Sequence, residues 1–298
     1  MEITFLGTSS AVHSFERNHP SIVLKAFGEV MMFDCGEGTQ RQLIYAKISP
    51  MKISKIFITH FHGDHILGLP GLIQSMNFRG RDKKLTIYGP KGLNVLKESI
   101  FSLGYCKIEF PIEFIEIGSE IVEKTEDYII KSQEVNHLVP SLAYSIEELK
   151  KPRFLRQKAI ELGVPVGPAF GKLHNGQEVE IDGKIIKPEQ VLGPPRKGRK
   201  ITYSGDTTPC EEMIELAKDS TLLIHESTYV REDSDKAEEN YHSTSSDAAS
   251  IAKKSNSKKL ILTHISTRYQ NTDQLLDEAL EIFENTEIAK DLKTIKCD

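Results

Sequence analysis

Three histidines and an aspartate lie within six residues of one another in the segment HFHGDH, residues 60–65. The segment directly follows residues 56–59, an apolar run that predicts a short buried strand. Imidazole and carboxylate are ligands for zinc and its first-row neighbours, and the lack of cysteine among them argues against a closed structural zinc site. Because Gly63 permits a sharp turn, His60 and His62 can face one point while Asp64 and His65 face another. The segment therefore predicts a strand-end site for two metal ions; a pair of structural histidines in a polar turn is the alternative.

The length and composition set broad limits on the fold. A chain of 298 residues is long enough for one large core or two ordinary domains. No apolar segment approaches the about 20 residues that span a bilayer, and the N-terminus lacks a basic region followed by a long apolar one, so we expect a cytoplasmic protein. The cysteines, Cys35, Cys106, Cys210 and Cys297, form no CxxC pair, which indicates neither a disulfide framework nor a cysteine zinc site.

Charge is distributed unevenly along the chain. The formal net charge of -5 by itself argues against a nucleic-acid partner. Residues 150–200, however, contain 12 Lys and Arg against 5 Asp and Glu. A single basic segment on an otherwise acidic protein is expected where one surface binds a polyanion. A solvated lysine-rich loop is the alternative explanation.

Short apolar strands alternate with helical patterns along most of the chain, which predicts a layered α/β protein with two sheets between outer helices. Residues 151–178 depart from this pattern. A basic helical stretch, Pro152 to Leu162, precedes a segment rich in glycine and proline, Gly163 to Gly171, where neither helix nor strand is expected. We therefore predict a single domain over residues 1–298 with a protruding basic helix-loop arm inserted at 149–178.

A site for two metal ions needs more ligands than residues 60–65 supply. His137, Asp206 and His264 each follow an apolar run that is predicted as a strand. Taken singly, each has an ordinary explanation, as a loop histidine, a helix cap and a core histidine, respectively. Because ligand types recur at the ends of three strands, we predict that these residues join the first cluster.

This pattern resembles the metallo-β-lactamase superfamily, in which HFHGDH is followed by single His, Asp and His ligands on later strands. Further motifs narrow the resemblance to the ribonuclease Z family, and the likeness runs from the N-terminus to about His264, the arm included. The motifs are FLGTSS at 5–10, RN at 17–18, FDCGEGTQ at 33–40, LGPPRKGRK at 192–200, YSGDT at 203–207, HEST at 225–228 and HST at 242–244. The resemblance implies a four-layer αβ/βα sandwich with a dinuclear site at the sheet edges.

The resemblance also implies a reaction. It predicts an endoribonuclease that uses two Zn²⁺ per subunit to remove the 3′ trailer from precursor tRNA, leaving a 3′ hydroxyl on the tRNA and a 5′ phosphate on the trailer. One zinc ion would be held by His60, His62 and His137, the other by Asp64, His65 and His264, with Asp206 bridging the two. Asp34 would steady the cluster through a hydrogen bond to a ligand histidine.

Three residues are expected to handle protons. Asp64 would orient the attacking water and accept its proton, and His242 would protonate the leaving 3′ oxygen. Glu226 would hold the imidazole of His242 protonated and aimed. The alternatives are that His242 caps the helix near Ser246 and that Glu226 is a surface carboxylate.

In the family the arm of one subunit presents tRNA to the metal site of the other, which implies a homodimer and recognition of the RNA by its shape. The expected RNA contacts are Lys150, Lys151, Arg153, Arg156, Lys158, Gly167, Pro168 and Arg17. Residues 13–18, HSFERN, stand in place of the family's PxKxRN loop but lack its proline and lysine, so we expect the RNA end to be handled differently here. Arg17 and His19 remain candidates for phosphate contact.

Two other functions fit the sequence less well. A phosphodiesterase or thioesterase of the same superfamily, acting on small molecules, would carry the arm as an addition without a role in tRNA binding. A binding or redox protein of the di-iron kind would favour a carboxylate at the position of His62.

Overall fold

The computed structural model describes residues 1–105 and 107–297, so Cys106, one of the scattered cysteines, lies outside the described residues, as does Asp298. The chain divides into two compact units. The first comprises Met1–Thr125, Ile129–Glu147 and the chain from Arg199 onward. The second comprises Glu126–Tyr128 and Glu148–Gly198.

The strands in chain order are β1 Glu2–Gly7, β2 Ser21–Ala26, β3 Glu29–Phe33, β4 Ile53–Phe57, β5 Leu85–Gly89, β6 Ile112–Glu116, β7 Glu120–Lys124, β8 Tyr128–Val135, β9 Ser141–Glu148, β10 Val179–Ile181, β11 Lys184–Ile186, β12 Lys200–Tyr203, β13 Leu222–Glu226, β14 Leu260–Thr263, β15 Thr286–Ile288 and β16 Thr294–Lys296. The α-helices are α1 Thr39–Tyr45, α2 Gly63–Ile66, α3 Leu69–Phe78, α4 Leu93–Ser102, α5 Arg156–Glu161, α6 Pro168–His174, α7 Pro188–Val191, α8 Glu211–Ala217, α9 Ser234–Glu239, α10 Ser245–Lys254 and α11 Asp273–Leu280. Short 3-10 helices cover Pro50–Lys52 and Arg231–Asp233. Among the described residues, no helix combines the length and the apolar character that a membrane span requires.

Within the described part of the first unit, the strands form two seven-stranded sheets. The first has the order β16-β1-β2-β3-β4-β5-β6 and the second the order β15-β14-β13-β12-β9-β8-β7. Strands β3 to β6 are parallel in the first sheet, and β12 to β15 are parallel in the second. Parallel strands end at the same edge of a sheet, so each sheet has one edge where several strand ends meet.

Helices cover the outer face of each sheet. In the first, α1, α3 and α4 contribute fully or almost fully buried side chains such as Leu43, Leu72 and Leu93 to one apolar cluster with β4 and β5. In the second, α8, α10 and α11 pack on the strands through residues such as Met213 and Leu275. The predicted four-layer αβ/βα sandwich is therefore confirmed.

The inner faces of the two sheets pack against each other through aromatic rings. The ring of Phe57 lies 5.4 Å from that of Tyr144, and the ring of Phe33 lies 6.0 Å from that of Tyr203, measured between centroids. Side chains alternate along each strand, so Ile56 faces the helices while its neighbour Phe57 faces the second sheet. This close contact fixes the ligand-bearing edges of the two sheets relative to each other.

The second unit has a small hydrophobic cluster of its own, with Ala159, Leu173 and Val191 fully buried. Helices α5, α6 and α7 and the hairpin β10–β11 contribute to it. The hairpin turns at Asp182 and Gly183, whose φ angles of 50° and 74° are those that a two-residue hairpin turn requires. The predicted arm, residues 149–178, lies inside this unit, which continues to Gly198.

Two predictions within this unit were wrong. The helix expected from Pro152 begins only at Arg156, because Phe154 pairs with Leu192 in an isolated bridge and the N–H of Leu155 donates to the Val191 carbonyl at 2.7 Å. The segment expected to be loop contains the helix α6, in which Pro168 occupies the first turn. Proline at that position interrupts no hydrogen bond and has the φ angle of a helix.

Candidate metal centre and active site

The strand ends that carry the predicted ligands converge at one place. His60 follows β4 of the first sheet, and Asp206 and His264 follow the parallel strands β12 and β14 of the second. His137 lies in the loop before β9, and because β9 is antiparallel to β12, that loop reaches the edge where β12 ends. The topology therefore brings together ligands that are far apart in the sequence.

The ligand atoms form two adjoining groups. Those of His60, His62, His137 and Asp206 all lie within 4.8 Å of one another, as do those of Asp64, His65 and His264. The Oδ2 atom of Asp206 lies between the groups, 3.7 Å from Nε2 of His60 and 3.4 Å from Nε2 of His65. The same oxygen is 3.3 Å from Nε2 of His264. A carboxylate in this position can serve both groups.

Several atoms that face the centre have no hydrogen-bond partner among the described residues. Nε2 of His60, His65 and His264 and Oδ1 of Asp206 are buried and make no hydrogen bond with any described residue. Burying a polar atom without a partner costs free energy, so such atoms are rare in folded proteins. Their convergence fits metal ions bound by nitrogen and oxygen ligands.

The outward-facing Nδ1 atoms of these three histidines and of His137, by contrast, are held by hydrogen bonds. Nδ1 of His65 is 2.8 Å from Asp34, Nδ1 of His264 is 2.8 Å from Thr228, Nδ1 of His137 is 2.7 Å from the Tyr241 carbonyl, and Nδ1 of His60 is 3.0 Å from Thr59. These contacts place the proton on Nδ1 and direct Nε2 toward the centre, which is the arrangement around metal-ligating histidines.

Asp34 supports the centre, as expected, through a hydrogen bond to a candidate ligand. It is fully buried, and its carboxylate also accepts hydrogen bonds from the backbone N–H of Thr59 at 2.8 Å and from the hydroxyl of Tyr203 at 2.9 Å. Its φ angle is 54°, in the left-handed region. The carboxylate thereby connects His65, the end of β4 and the second sheet.

Burial and neighbouring charges act in opposite directions on the ionisable groups. Burial lowers the pKa of His60 well below its usual value, and it lowers the pKa of His62 and His137 as well. Burial would raise the pKa of Asp206, but the histidines around it, first His264 and His65, hold that pKa well below its usual range. His60, His62 and His137 are therefore neutral imidazoles beside an ionised Asp206 carboxylate, and both are forms that bind metal.

A second pair of side chains lies beside the ligand groups. Glu226 at the end of β13 is fully buried, and its carboxylate accepts hydrogen bonds from Thr207 and Thr228. Nδ1 of His242 lies 2.8 Å from Glu226 and 4.0 Å from Asp206. Burial would lower the pKa of His242, but the Glu226 carboxylate raises it to about 9. The structure thus presents a protonated imidazole to the site, held by a buried carboxylate.

Comparison with known proteins identifies the family. Over 296 residues the chain is 55% identical to the ribonuclease Z of Methanothermobacter thermautotrophicus, a match that covers 99% of this chain and 96% of that protein. The chain belongs to the ribonuclease Z family. The ribonuclease Z of Methanocaldococcus jannaschii is 50% identical over 279 residues, covering 92% of this chain and 88% of that protein.

A structural comparison agrees with membership of the ribonuclease Z family, and two broader family models match parts of the chain. The crystal structure of human tRNase Z, short form, matches with a TM-score of 0.71 at 28% identity and covers 100% of both chains. Residues 183–265 match a family model described as beta-lactamase superfamily domain. Residues 1–116 match one described as anti-Pycsar protein Apyc1.

A cavity of about 790 Å³ lies over the candidate metal-ligand groups. Its walls include Asp64, Asp206 and His264 as well as His242. The candidate ligands and the candidate proton donor therefore face one space that is open to a substrate.

The residues predicted to contact RNA lie in both units. Within the second unit, the exposed residues among them are Lys151, Arg153, Arg156, Lys158, Gly167 and Pro168. Lys150 is half-buried and forms an ion pair with Glu148 at 3.3 Å. In the first unit, Nη1 of Arg17 donates to Thr8 at 2.7 Å and to the Ala289 carbonyl at 2.8 Å. Protein groups thus occupy part of its hydrogen-bonding capacity.

Of the groups that orient the candidate ligand histidines, only Asp34 was predicted from the sequence. Thr59 directly precedes the HFHGDH motif and Thr228 is the last residue of the HEST motif, so both hydroxyl residues could have been identified from the sequence. The Tyr241 carbonyl, which accepts a hydrogen bond from His137, could not be recognised in the sequence, because every residue has a backbone carbonyl.

Proposed function

We propose that this chain is a metal-dependent endoribonuclease that removes the 3′ trailer from precursor tRNA, leaving a 3′ hydroxyl on the tRNA and a 5′ phosphate on the trailer. The observation that carries the proposal is the hydrogen-bonded pair His242 and Glu226 beside two groups of metal-ligand side chains, in a member of the ribonuclease Z family. A phosphodiesterase that acts on small molecules would not need the basic second unit. It would also not be expected to resemble ribonuclease Z over the full chain.

We assign two zinc ions to the centre. His60, His62 and His137 would hold one and Asp64, His65 and His264 the other, with Asp206 shared. A zinc pair supplies a Lewis acid that lowers the pKa of water and offsets the negative charge that builds on a phosphodiester. The orphaned Nε2 atoms support this assignment, because nitrogen atoms that lack any other partner are free to bind metal.

The proton transfers fall to side chains of this protein. Asp64 lies 3.5 Å from both His65 and His264 and lines the cavity, so it can orient the attacking water and take its proton. His242 lines the same cavity and can give a proton to the departing 3′ oxygen, a poor leaving group. Glu226 is the positioning residue that orients His242.

We assign tRNA binding to the second unit, through phosphate contacts that read the shape of the RNA. The exposed cations Arg153, Arg156 and Lys158 support this assignment. We further propose a homodimer in the cytoplasm, in which the arm of one subunit presents tRNA to the other.

The direct test is to incubate the purified protein with a 3′-extended tRNA transcript, with and without a chelator, and to analyse the product ends. We expect a single cut that yields a tRNA 3′ hydroxyl and a trailer 5′ phosphate, abolished by the chelator and restored by zinc. Hydrolysis of bis(p-nitrophenyl) phosphate without any cleavage of the transcript would contradict the proposal and favour a small-molecule hydrolase.

The role of the second unit is best tested by charge removal. Deleting residues 152–176 would take Ala159 and Leu173 out of the hydrophobic cluster and expose its remainder. Replacing Arg153, Arg156 and Lys158 by alanine leaves that cluster intact. We expect a higher KM for precursor tRNA and a shallower salt dependence, with hydrolysis of bis(p-nitrophenyl) phosphate unchanged.

A matched control removes three exposed lysines of the first unit, Lys253, Lys254 and Lys258. This control variant should keep the KM of the unmodified protein. If the two triple variants bind precursor tRNA equally well, the second unit has no specific role in tRNA binding.

A further inference from the structure

His19 is a buried side chain that the mechanism above does not use. Only 6% of its surface is exposed, and neither ring nitrogen has a hydrogen-bond partner among the described residues. The side chain lines the cavity of about 790 Å³ that also contains Asp64, His242 and His264. Burial lowers the pKa of His19, and the nearby Asp64 carboxylate offsets part of that effect.

The backbone around His19 is fixed on both sides. The N–H of Ser9 donates to the Asn18 carbonyl at 2.9 Å, and the N–H of Gly36 donates to the Pro20 carbonyl at 3.1 Å. A Cβ at Gly7 would lie 1.7 Å from the carbonyl oxygen of His19. The chain therefore passes His19 so closely that only glycine fits at position 7, and the backbone of His19 is held in place before any ligand arrives.

The same contacts tie His19 to the second group of metal ligands. A Cβ at Gly36 would lie 2.5 Å from Cβ of His19 and 2.2 Å from the backbone oxygen of Asp64. On the other side, Ser9 pairs with Ile265, the residue after His264. His19 is therefore fixed relative to Asp64 and His264 by packing and by backbone hydrogen bonds.

Among the described residues, no hydrogen bond satisfies the ring nitrogens that are buried at this position. The ring of His13 meets that of His19 edge-on at 5.0 Å between centroids, which is an apolar contact and satisfies neither nitrogen. An imidazole offers a donor and an acceptor, and leaving both unused costs free energy that an apolar residue would not cost. Such a cost is expected where a ligand supplies the missing partner.

We propose that the imidazole of His19 is a substrate-binding group that hydrogen-bonds an oxygen of the ribose–phosphate backbone at the cleaved linkage. This inference rests on the proposed function, because RNA is the ligand that brings such oxygens into the cavity. His19 is distinct from the proposed metal ligands, and it adds a contact that positions the RNA against Asp64 and His242.

The test compares His19→Leu, which keeps a similar volume but cannot hydrogen-bond, with His19→Gln, which retains a donor and an acceptor. We expect His19→Leu to lower kcat/KM on a 3′-extended tRNA about 10- to 100-fold, and His19→Gln to recover part of the loss. In the presence of chelator, His19→Leu should also bind the transcript more weakly than the unmodified protein. The bound metal should be unchanged, and the Tm should stay the same or rise, because the described residues make no hydrogen bond to the ring that could be lost.

The source of the oxygen is identified with transcripts that carry one 2′-deoxyribose at the nucleotide preceding the cut. If His19 pairs with the 2′ hydroxyl, the deoxy substitution should not lower the kcat/KM of His19→Leu any further. If His19 pairs with phosphate, the fold-losses in kcat/KM from the deoxy substitution and from His19→Leu should multiply. Activity of His19→Leu within twofold of the unmodified protein, or a lowered Tm with full activity, would overturn the inference and leave His19 a structural residue. Should the unmodified protein fail to cut the transcript at all, the proposed function fails instead, which is a separate result.

Discussion

At the scale of single residues, Asp34 links several groups around the centre. Its carboxylate accepts from His65, Thr59 and Tyr203, which belong to different elements. Asp34 and His264 both adopt left-handed φ angles, of 54° and 58°, directly after strands. Backbone strain of this kind is held in place by surrounding contacts and is common at functional sites.

We predict that Asp34→Asn weakens metal binding by about 10- to 100-fold, because the amide is a weaker acceptor for Nδ1 of His65 and no longer makes that ligand more basic. Asparagine tolerates the left-handed φ angle, so the backbone should be retained. The measurement is metal content after dialysis against graded chelator concentrations. Tyr203→Phe, which removes one neutral donor to the same carboxylate, is the control with a smaller expected effect, and equal metal retention in all three proteins would refute the prediction.

The second residue-scale prediction concerns His242. His242→Ala should lower kcat on precursor tRNA by about 10²- to 10⁴-fold, because the 3′ oxygen leaves poorly without a proton. Bis(p-nitrophenyl) phosphate has a leaving group that needs no proton, so its hydrolysis should fall far less. Equal losses on the two substrates, with metal content retained, would show that His242 does not act as the acid.

The candidate ligands could be predicted at this scale because each is a ligand type placed directly after or near an apolar strand, as His264 is after β14. Their hydrogen-bond partners could not, because the contact between His137 and Tyr241 joins residues 104 positions apart and uses a backbone carbonyl. Nor could the burial of His19, which depends on close packing against Gly7 and Gly36.

At the scale of secondary structure, the site depends on how tightly the turns after the strands pack. Gly205, between β12 and Asp206, has a φ angle of 59°, and a Cβ there would lie 2.8 Å from Cγ2 of Thr59 and 3.1 Å from the Leu142 carbonyl. The turn that presents Asp206 thus packs directly on the residue that precedes His60.

We therefore predict that Gly205→Ala destabilises the protein by about 1–3 kcal/mol, through the strained φ angle and the clash with Thr59, and lowers its metal content. Thermal unfolding and metal analysis measure the two effects. Gly171→Ala is the matched control, since a Cβ at Gly171 in α6 meets nothing within 4 Å and alanine favours helix. A Gly205→Ala protein with unchanged Tm and metal content would contradict this account.

Strands were predictable where apolar residues alternate or run together: the sequence predicts strands over residues 21–25 and 128–135, and β2 and β8 differ little from these ranges. The second unit was harder. The start of α5 is set by the pairing of Phe154 with Leu192, which lies far along the chain, and α6 is concealed in a segment whose glycines and prolines usually break helices.

At the scale of the whole molecule, the candidate metal centre joins the two sheets of the first unit. His60, His62, Asp64 and His65 follow β4 of the first sheet, whereas His137, Asp206 and His264 come from the edge of the second. Metal ions bound at this centre would connect the two sheets at their edge, in addition to the aromatic contacts between them.

Removal of metal is therefore predicted to lower the Tm, because bound ions stabilise the folded state by about 4 kcal/mol when present at a thousand times their dissociation constant. Calorimetry with and without chelator measures the shift, and added zinc should reverse it. His60→Ala, which removes one ligand, should respond less to the chelator. A Tm that is the same with and without metal would argue against a centre that links the sheets.

The placement of ligands on both sheets has a consequence for the protein in a living cell. Chains made under zinc starvation would open more often along the seam between the sheets and expose the aromatic residues there to proteases. We expect the half-life of the enzyme to shorten along with its activity, so that metal supply controls how much of the protein accumulates as well as how fast it works.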